Sequence, residues 1–108
     1  MTTEPQAVPL DQRAWETEAA GIRSRAQSVA GNRWAIVEYA RGARREAWCT
    51  EGHRGLVIDG HIRYEFNDAT PPLIVAQGQA FLLPHGQGHR GTNLADRPTR
   101  LFLIDGPT

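Results

Sequence analysis

The chain has 108 residues, 40% of them hydrophobic and 22% charged, with 12 basic and 12 acidic residues and a formal charge of zero. That length is one domain, with a core large enough to stand without staples. Balanced charge without a basic cluster argues against nucleic acid and anionic membrane as partners, and no apolar run approaches the ~20 residues that span a bilayer.

Absent residue types narrow the chemistry. There is no lysine, so Schiff-base catalysis is excluded. The serines, Ser24 and Ser28, lie outside any G-x-S-x-G elbow. The single cysteine, Cys49, excludes an internal disulfide and fits a reducing cytoplasm. The opening residues, Met1 to Pro9, show neither the basic nor the apolar region of a secretory signal.

In chain order, residues 1–19 read as an N-terminal arm whose second half, "LDQRAWETEA", holds a short helical turn or an edge segment. Residues 20–108 read as a single β domain. "GIRSRAQSVA" (21–30) alternates in the strand period, and "RWAIVEYA" (33–40) is rich in aromatic and β-branched residues. "RREAWC" (44–49) is a further candidate strand. "HRGLVI" (53–58) and "HIRYEF" (61–66) flank an Asp59-Gly60 hairpin signal. "LIVAQ" (73–77), "QAFLL" (79–83), "HRGTN" (89–93) and "TRLFLID" (99–105) follow. Short strands separated by glycine or proline, with no long helix between them, predict a sandwich or barrel.

The segment "GQAFLLPHGQGHRGTN" (78–93) stands out. Pro84 ends a strand, Gly86 permits a tight corner, and His89 re-enters a strand with Asn93 four residues on, on the same face. The spacing G-x5-P-x-G-x2-H-x3-N, filled by Gly78, Pro84, Gly86, His89 and Asn93, resembles the second motif of the cupin superfamily. The resemblance covers about residues 20 to 105. It implies an all-β, antiparallel, jelly-roll-like cupin β-barrel, commonly dimeric, with His89 binding a divalent metal inside the barrel.

The first cupin motif, G-x5-H-x-H-x3–4-E-x6-G, is met by "GARREAWCTEGHRGLVIDG" (42–60) with its H-x-H replaced. Anchored on Gly60, the glutamate position falls on His53. The two histidine positions fall on Glu46 and Trp48, or on Ala47 and Cys49, according to loop length. Anchored on Gly42, they fall on Trp48 and Thr50. The expected ligands are therefore His53, His89 and Glu46, a two-histidine, one-carboxylate set suited to Fe, Zn, Mn or Ni, or Cys49 in place of Glu46, giving a softer site. Strand alternation keeps Glu46 and Cys49 from both pointing inward. Trp48, Cys49 and Asn93 are candidate pocket residues, Trp48 as a wall for a sugar or aromatic ring. "WCTEGHRG" (48–55) also resembles a pattern in small bacterial cupins of unassigned role, which suggests a site built around His53.

Two functional classes follow from the resemblance. One is a mononuclear metal enzyme, of dioxygenase, isomerase or lyase type, acting on a small oxygenated substrate. The other is a metal-free barrel that binds a sugar or aromatic acid without catalysis; a structural or regulatory dimer with a residual pocket is a third. The resemblance implies a homodimer, with the first strands, around residues 20 to 39, covering a barrel edge.

Overall fold

The structure, a computed structural model, describes residues 4–106. Residues 1–3 and 107–108, the outer ends of the expected arm and domain, lie outside the described residues. A 3₁₀ turn, Leu10–Gln12, leads into β1 (Glu16–Ala19), β2 (Ile22–Val29) and β3 (Asn32–Tyr39). Then come β4 (His53–Asp59), β5 (His61–Phe66), β6 (Leu73–Ala76), β7 (Ala80–Leu83), β8 (His89–Asn93) and β9 (Thr99–Asp105). The strands form two sheets, ordered β1-β2-β3-β9-β4-β7 and β6-β5-β8, in which neighbours run antiparallel. This is the expected all-β, antiparallel, jelly-roll-like barrel.

Period-two alternation decides what faces the interior. On β3 the inward set is Ala35, Val37 and Tyr39; on β9 it is Leu101 and Leu103; on β5 it is Ile62 and Tyr64. With Val57, Phe81 and Leu83 they form one core between the sheets. Within the expected arm, both readings of residues 10–19 are realised. Leu10 is buried under the 3₁₀ turn, and β1 pairs with β2 as the outer strand of the large sheet.

Two local expectations are corrected. Residues 44–49 do not form a strand; they run beside β8 and pair with its backbone at isolated bridges, Arg44 with Thr92 and Cys49 with His89. The stretch lacks β-branched residues and a backbone ladder through its middle, which is held to β8 only by the Arg90 side chain, through the Glu46 carbonyl and the Trp48 ring. Asp59-Gly60 is not a hairpin either, because β4 belongs to the large sheet and β5 to the small one. The pair is a corner at which the chain changes sheets, so that Val57 and Ile62 face the same core. Gly60 takes φ +89°, and a Cβ there would press on the buried Thr99.

Candidate functional site

The Pro84–Gly86 corner aims the chain into the barrel. Gly86 adopts φ +93°, and its N–H donates to the Thr50 carbonyl at 2.8 Å, tying the corner to the 49–52 loop. The next residues enter β8, where His89 and Cys49 exchange two backbone hydrogen bonds: Cys49 N–H to the His89 carbonyl at 2.9 Å and His89 N–H to the Cys49 carbonyl at 2.8 Å. The narrow pair sets their two side chains directly opposite. His53 opens β4 and points inward with Val57. Its ring centroid lies 4.8 Å from that of His89 at 74°, and its Nε2 lies 3.9 Å from Cys49 Sγ. The potential ligand atoms of Cys49, His53 and His89 all fall within 4.8 Å of one another.

These three side chains line a cavity of about 150 Å³ with Tyr39, Tyr64, Val37 and Leu103 on its apolar side. Gly91 completes the wall. A Cβ there would meet Ile62 Cδ1 at 2.8 Å and the Tyr39 hydroxyl and Tyr64 ring at 3.1 Å, so only glycine keeps this side open. Charged residues ring the polar side. Arg45 pairs with Glu18 at 2.6 Å and donates to the Tyr39 hydroxyl at 3.4 Å. Arg33 pairs with Asp105 at 3.0 Å and with Glu18 at 3.4 Å.

His89 is only 3% exposed. Burial, helped by the neighbouring His53, pushes its pKa down to about 4, against the pull of the Gln87 carbonyl. That carbonyl is not in hydrogen-bonding geometry with Nδ1, which is buried and without a partner. The ring is therefore neutral at pH 7 and keeps a free electron pair, the form that ligates a metal. Burial alone raises the Asp105 carboxyl, but the His53 hydrogen bond and Arg33 outweigh it and hold the group below its ordinary value. Burial raises the pKa of Tyr39, which stays a neutral donor.

Of the residues singled out from sequence, the structure brings together His53, His89 and Cys49. Glu46 is not with them. Its side chain is 84% exposed and sits 3.6 Å from Arg44. Because 44–49 is a loop, alternation did not carry Glu46 to the interior. Trp48 is 41% exposed and stacks beneath the Arg90 guanidinium at 4.0 Å, outside the cavity. Asn93 is buried but does not line the cavity. Its amide donates toward the carbonyls of Tyr39, Ala40 and Arg97, and its oxygen accepts from Ala95 N–H and Thr99 Oγ1. With both ends engaged, it clamps the turn after β8 and has no capacity left for a ligand. The sequence reading missed Asp105, Arg33 and Arg45.

Two antiparallel sheets packed as a jelly-roll-like barrel are the arrangement of the cupin fold, and solved structures bear the likeness out. The chain is similar to the cupin domain of Schizosaccharomyces pombe Cnp3, at 15% identity and a TM-score of 0.75 over 94% of this chain and 74% of that one. It is similar to KdgF from Halomonas sp., at 20% identity and 0.71 over 91% and 92%, and to an RmlC-like cupin from Shewanella frigidimarina, at 13% and 0.75 over 100% and 96%. No family model and no curated protein matches the sequence. The likeness therefore rests on three-dimensional form: the chain has the cupin β-barrel fold.

Proposed function

We propose that the barrel holds one zinc-type divalent ion between Cys49 Sγ, His53 Nε2 and a ring nitrogen of His89, and that this centre serves a redox-neutral reaction, of isomerase or lyase type, on a small oxygenated molecule. The observation that carries the reading is the convergence of one thiol and two imidazoles within 4.8 Å. The fit is close. Tetrahedral coordination at the usual zinc–sulfur and zinc–nitrogen lengths needs S and N about 3.6 Å apart, and the Cys49–His53 separation is 3.9 Å. A thiolate with two imidazoles favours zinc over the harder ions, and three protein ligands leave one position open.

When bound, zinc polarises a carbonyl or lowers the pKa of a bound water without redox chemistry of its own. The chain's residues do the rest. Tyr64, Val37 and Leu103 exclude water, and the small cavity limits the ligand's size. Arg45 and the Tyr39 hydroxyl offer donors to a substrate oxygen from the wall. The lone free thiol suits a reducing compartment such as the cytoplasm.

Elemental analysis of the untagged protein tests the reading. About one zinc per chain is expected, lost in Cys49→Ser and in His89→Ala. A chain that stays metal-free after incubation with zinc overturns it; stabilisation of that chain by sugars or aromatic acids would place it with the metal-free binders.

We further propose that the chain forms a homodimer through the outer face of the six-stranded sheet. The 20–39 edge expected to pair is already covered, since β1 lies against β2. On the outer face, cross-strand register aligns Trp34 with Ile104 and Ile36 with Phe102 and Leu56, and Leu82 stands 57% exposed on β7. This patch spans four strands, about 300 Å² in projection from ordinary strand spacings, with Arg54 of β4 standing between Ile104 and Leu82 in its row. It is the apolar centre of an interface, and the polar residues around it would complete the ~800 Å² per partner of a stable complex.

A further inference from the structure

Three side chains that line the cavity stand in one row across the ends of the three central strands of the large sheet. Arg33 on β3 is directly opposite Asp105 on β9, which is directly opposite His53 on β4. The two carboxylate oxygens are divided between their neighbours. Oδ1 lies 2.7 Å from His53 Nδ1, and Oδ2 accepts from Arg33 Nη1 at 3.0 Å. Arg33 is itself fixed from the far side, where its Nη2 donates to Ser24 Oγ at 3.0 Å and to Glu18 at 3.4 Å. Asp105 is thus held on both oxygens in a half-buried site and has little freedom to turn.

An ionised carboxylate only accepts hydrogen bonds, so a neutral imidazole facing Oδ1 carries its proton on Nδ1. The free electron pair then sits on Nε2, the atom nearest Cys49 Sγ. We infer that Asp105, locked by Arg33, is a positioning residue that sets the tautomer and orientation of His53 so that Nε2 presents an electron pair to a divalent cation. The inference rests on the metal centre proposed above, but its first readout does not need the metal.

Asp105→Asn keeps the shape while leaving one acceptor and one donor. Arg33 claims the remaining oxygen, because turning the amide around would set its N–H₂ against a cation. The amide nitrogen then faces His53 Nδ1 and donates to it, which drives the ring proton to Nε2 and blocks that atom.

Long-range ¹H–¹⁵N NMR of the metal-free protein at pH 8 reads the tautomer. Nδ1–H is expected for His53 in the wild type and Nε2–H in Asp105→Asn. Chelator competition should show zinc affinity about 10- to 100-fold weaker in the variant, with circular dichroism unchanged. Nε2–H in the wild type, which needs no variant to fold, overturns the inference, and so does an unchanged tautomer in Asp105→Asn. A tautomer that switches as described in a chain that never binds zinc upholds the role of Asp105 and overturns the metal centre alone.

Discussion

At Asn93 a single amide satisfies three carbonyls, one backbone N–H and one hydroxyl, all within 3.1 Å. Asn93→Ala would remove a donor from the Tyr39 and Arg97 carbonyls and the acceptor of Ala95 N–H, while the Ala40 carbonyl keeps Ala43 N–H and Thr99 Oγ1 keeps the His61 backbone, at a cost of about 2–4 kcal/mol. Denaturant unfolding should show that loss, while zinc stoichiometry stays at one per chain, because Asn93 does not line the cavity. A loss of metal without a loss of stability would make it a site residue instead. The motif around residues 78–93 made Asn93 legible as special, but spacing cannot tell a ligand from a clamp, since both are buried polar groups on an inward face. His53 and His89 were legible through the resemblance to the cupin motifs, and it carried over because both stand on true strands, where alternation transmits direction. Glu46 and Trp48 were not, because their segment is a loop. Asp105 and Arg33 carried a signal that went unused: each continues the inward alternation of its strand, Asp105 after Leu101 and Leu103, and Arg33 before Ala35 and Val37. A charge in phase with an apolar stripe is costly unless paired, so it marks a network.

Rows of side chains across adjacent strands organise the sheet at the next scale. On the outer face, Glu38 of β3 lies between Arg23 of β2 and Arg100 of β9, at 2.8 Å and 2.7 Å. Burial by itself raises the Glu38 carboxyl, but the two arginines outweigh it and hold the group below its ordinary 4.5. A carboxylate whose folded pKa is depressed contributes stability above its unfolded pKa and loses it as pH falls through the folded value. Both arginines are nearly half exposed, which limits the contribution to about 1 kcal/mol. Glu38→Gln should therefore be less stable than wild type by about that amount above pH 5, with the gap closing as pH falls below 4.5. Parallel unfolding curves from pH 7 to pH 3 check it; a gap that widens in acid contradicts the assignment. The strands themselves were legible from alternation and from the Gly and Pro breaks between them. Strand partners were not, as the Asp59-Gly60 corner illustrates, because a local turn signal does not say which sheet receives the next strand.

For the molecule as a whole, the apolar outer face of β3, β9, β4 and β7 bears on assembly. Light scattering after size exclusion should give about 24 kDa, twice the 12.0 kDa chain, and Leu56→Arg with Leu82→Arg should return it to the single-chain mass. A wild-type monomer at micromolar concentration would remove the proposed interface. The connectivity of the large sheet carries a kinetic consequence as well. β9 lies between β3 and β4, which do not pair with each other, so the halves of the sheet meet only through a strand made after all the other described ones. The Arg33–Asp105 ion pair bridges 72 positions of sequence. Until residues 99–105 dock, β3 offers an unpaired apolar edge to any passing chain, and loop closure over such separations is slow. The same strand that aligns the imidazole is thus the bottleneck of refolding. Lesions in it should reveal themselves first as aggregation during synthesis, before any chemistry can be measured.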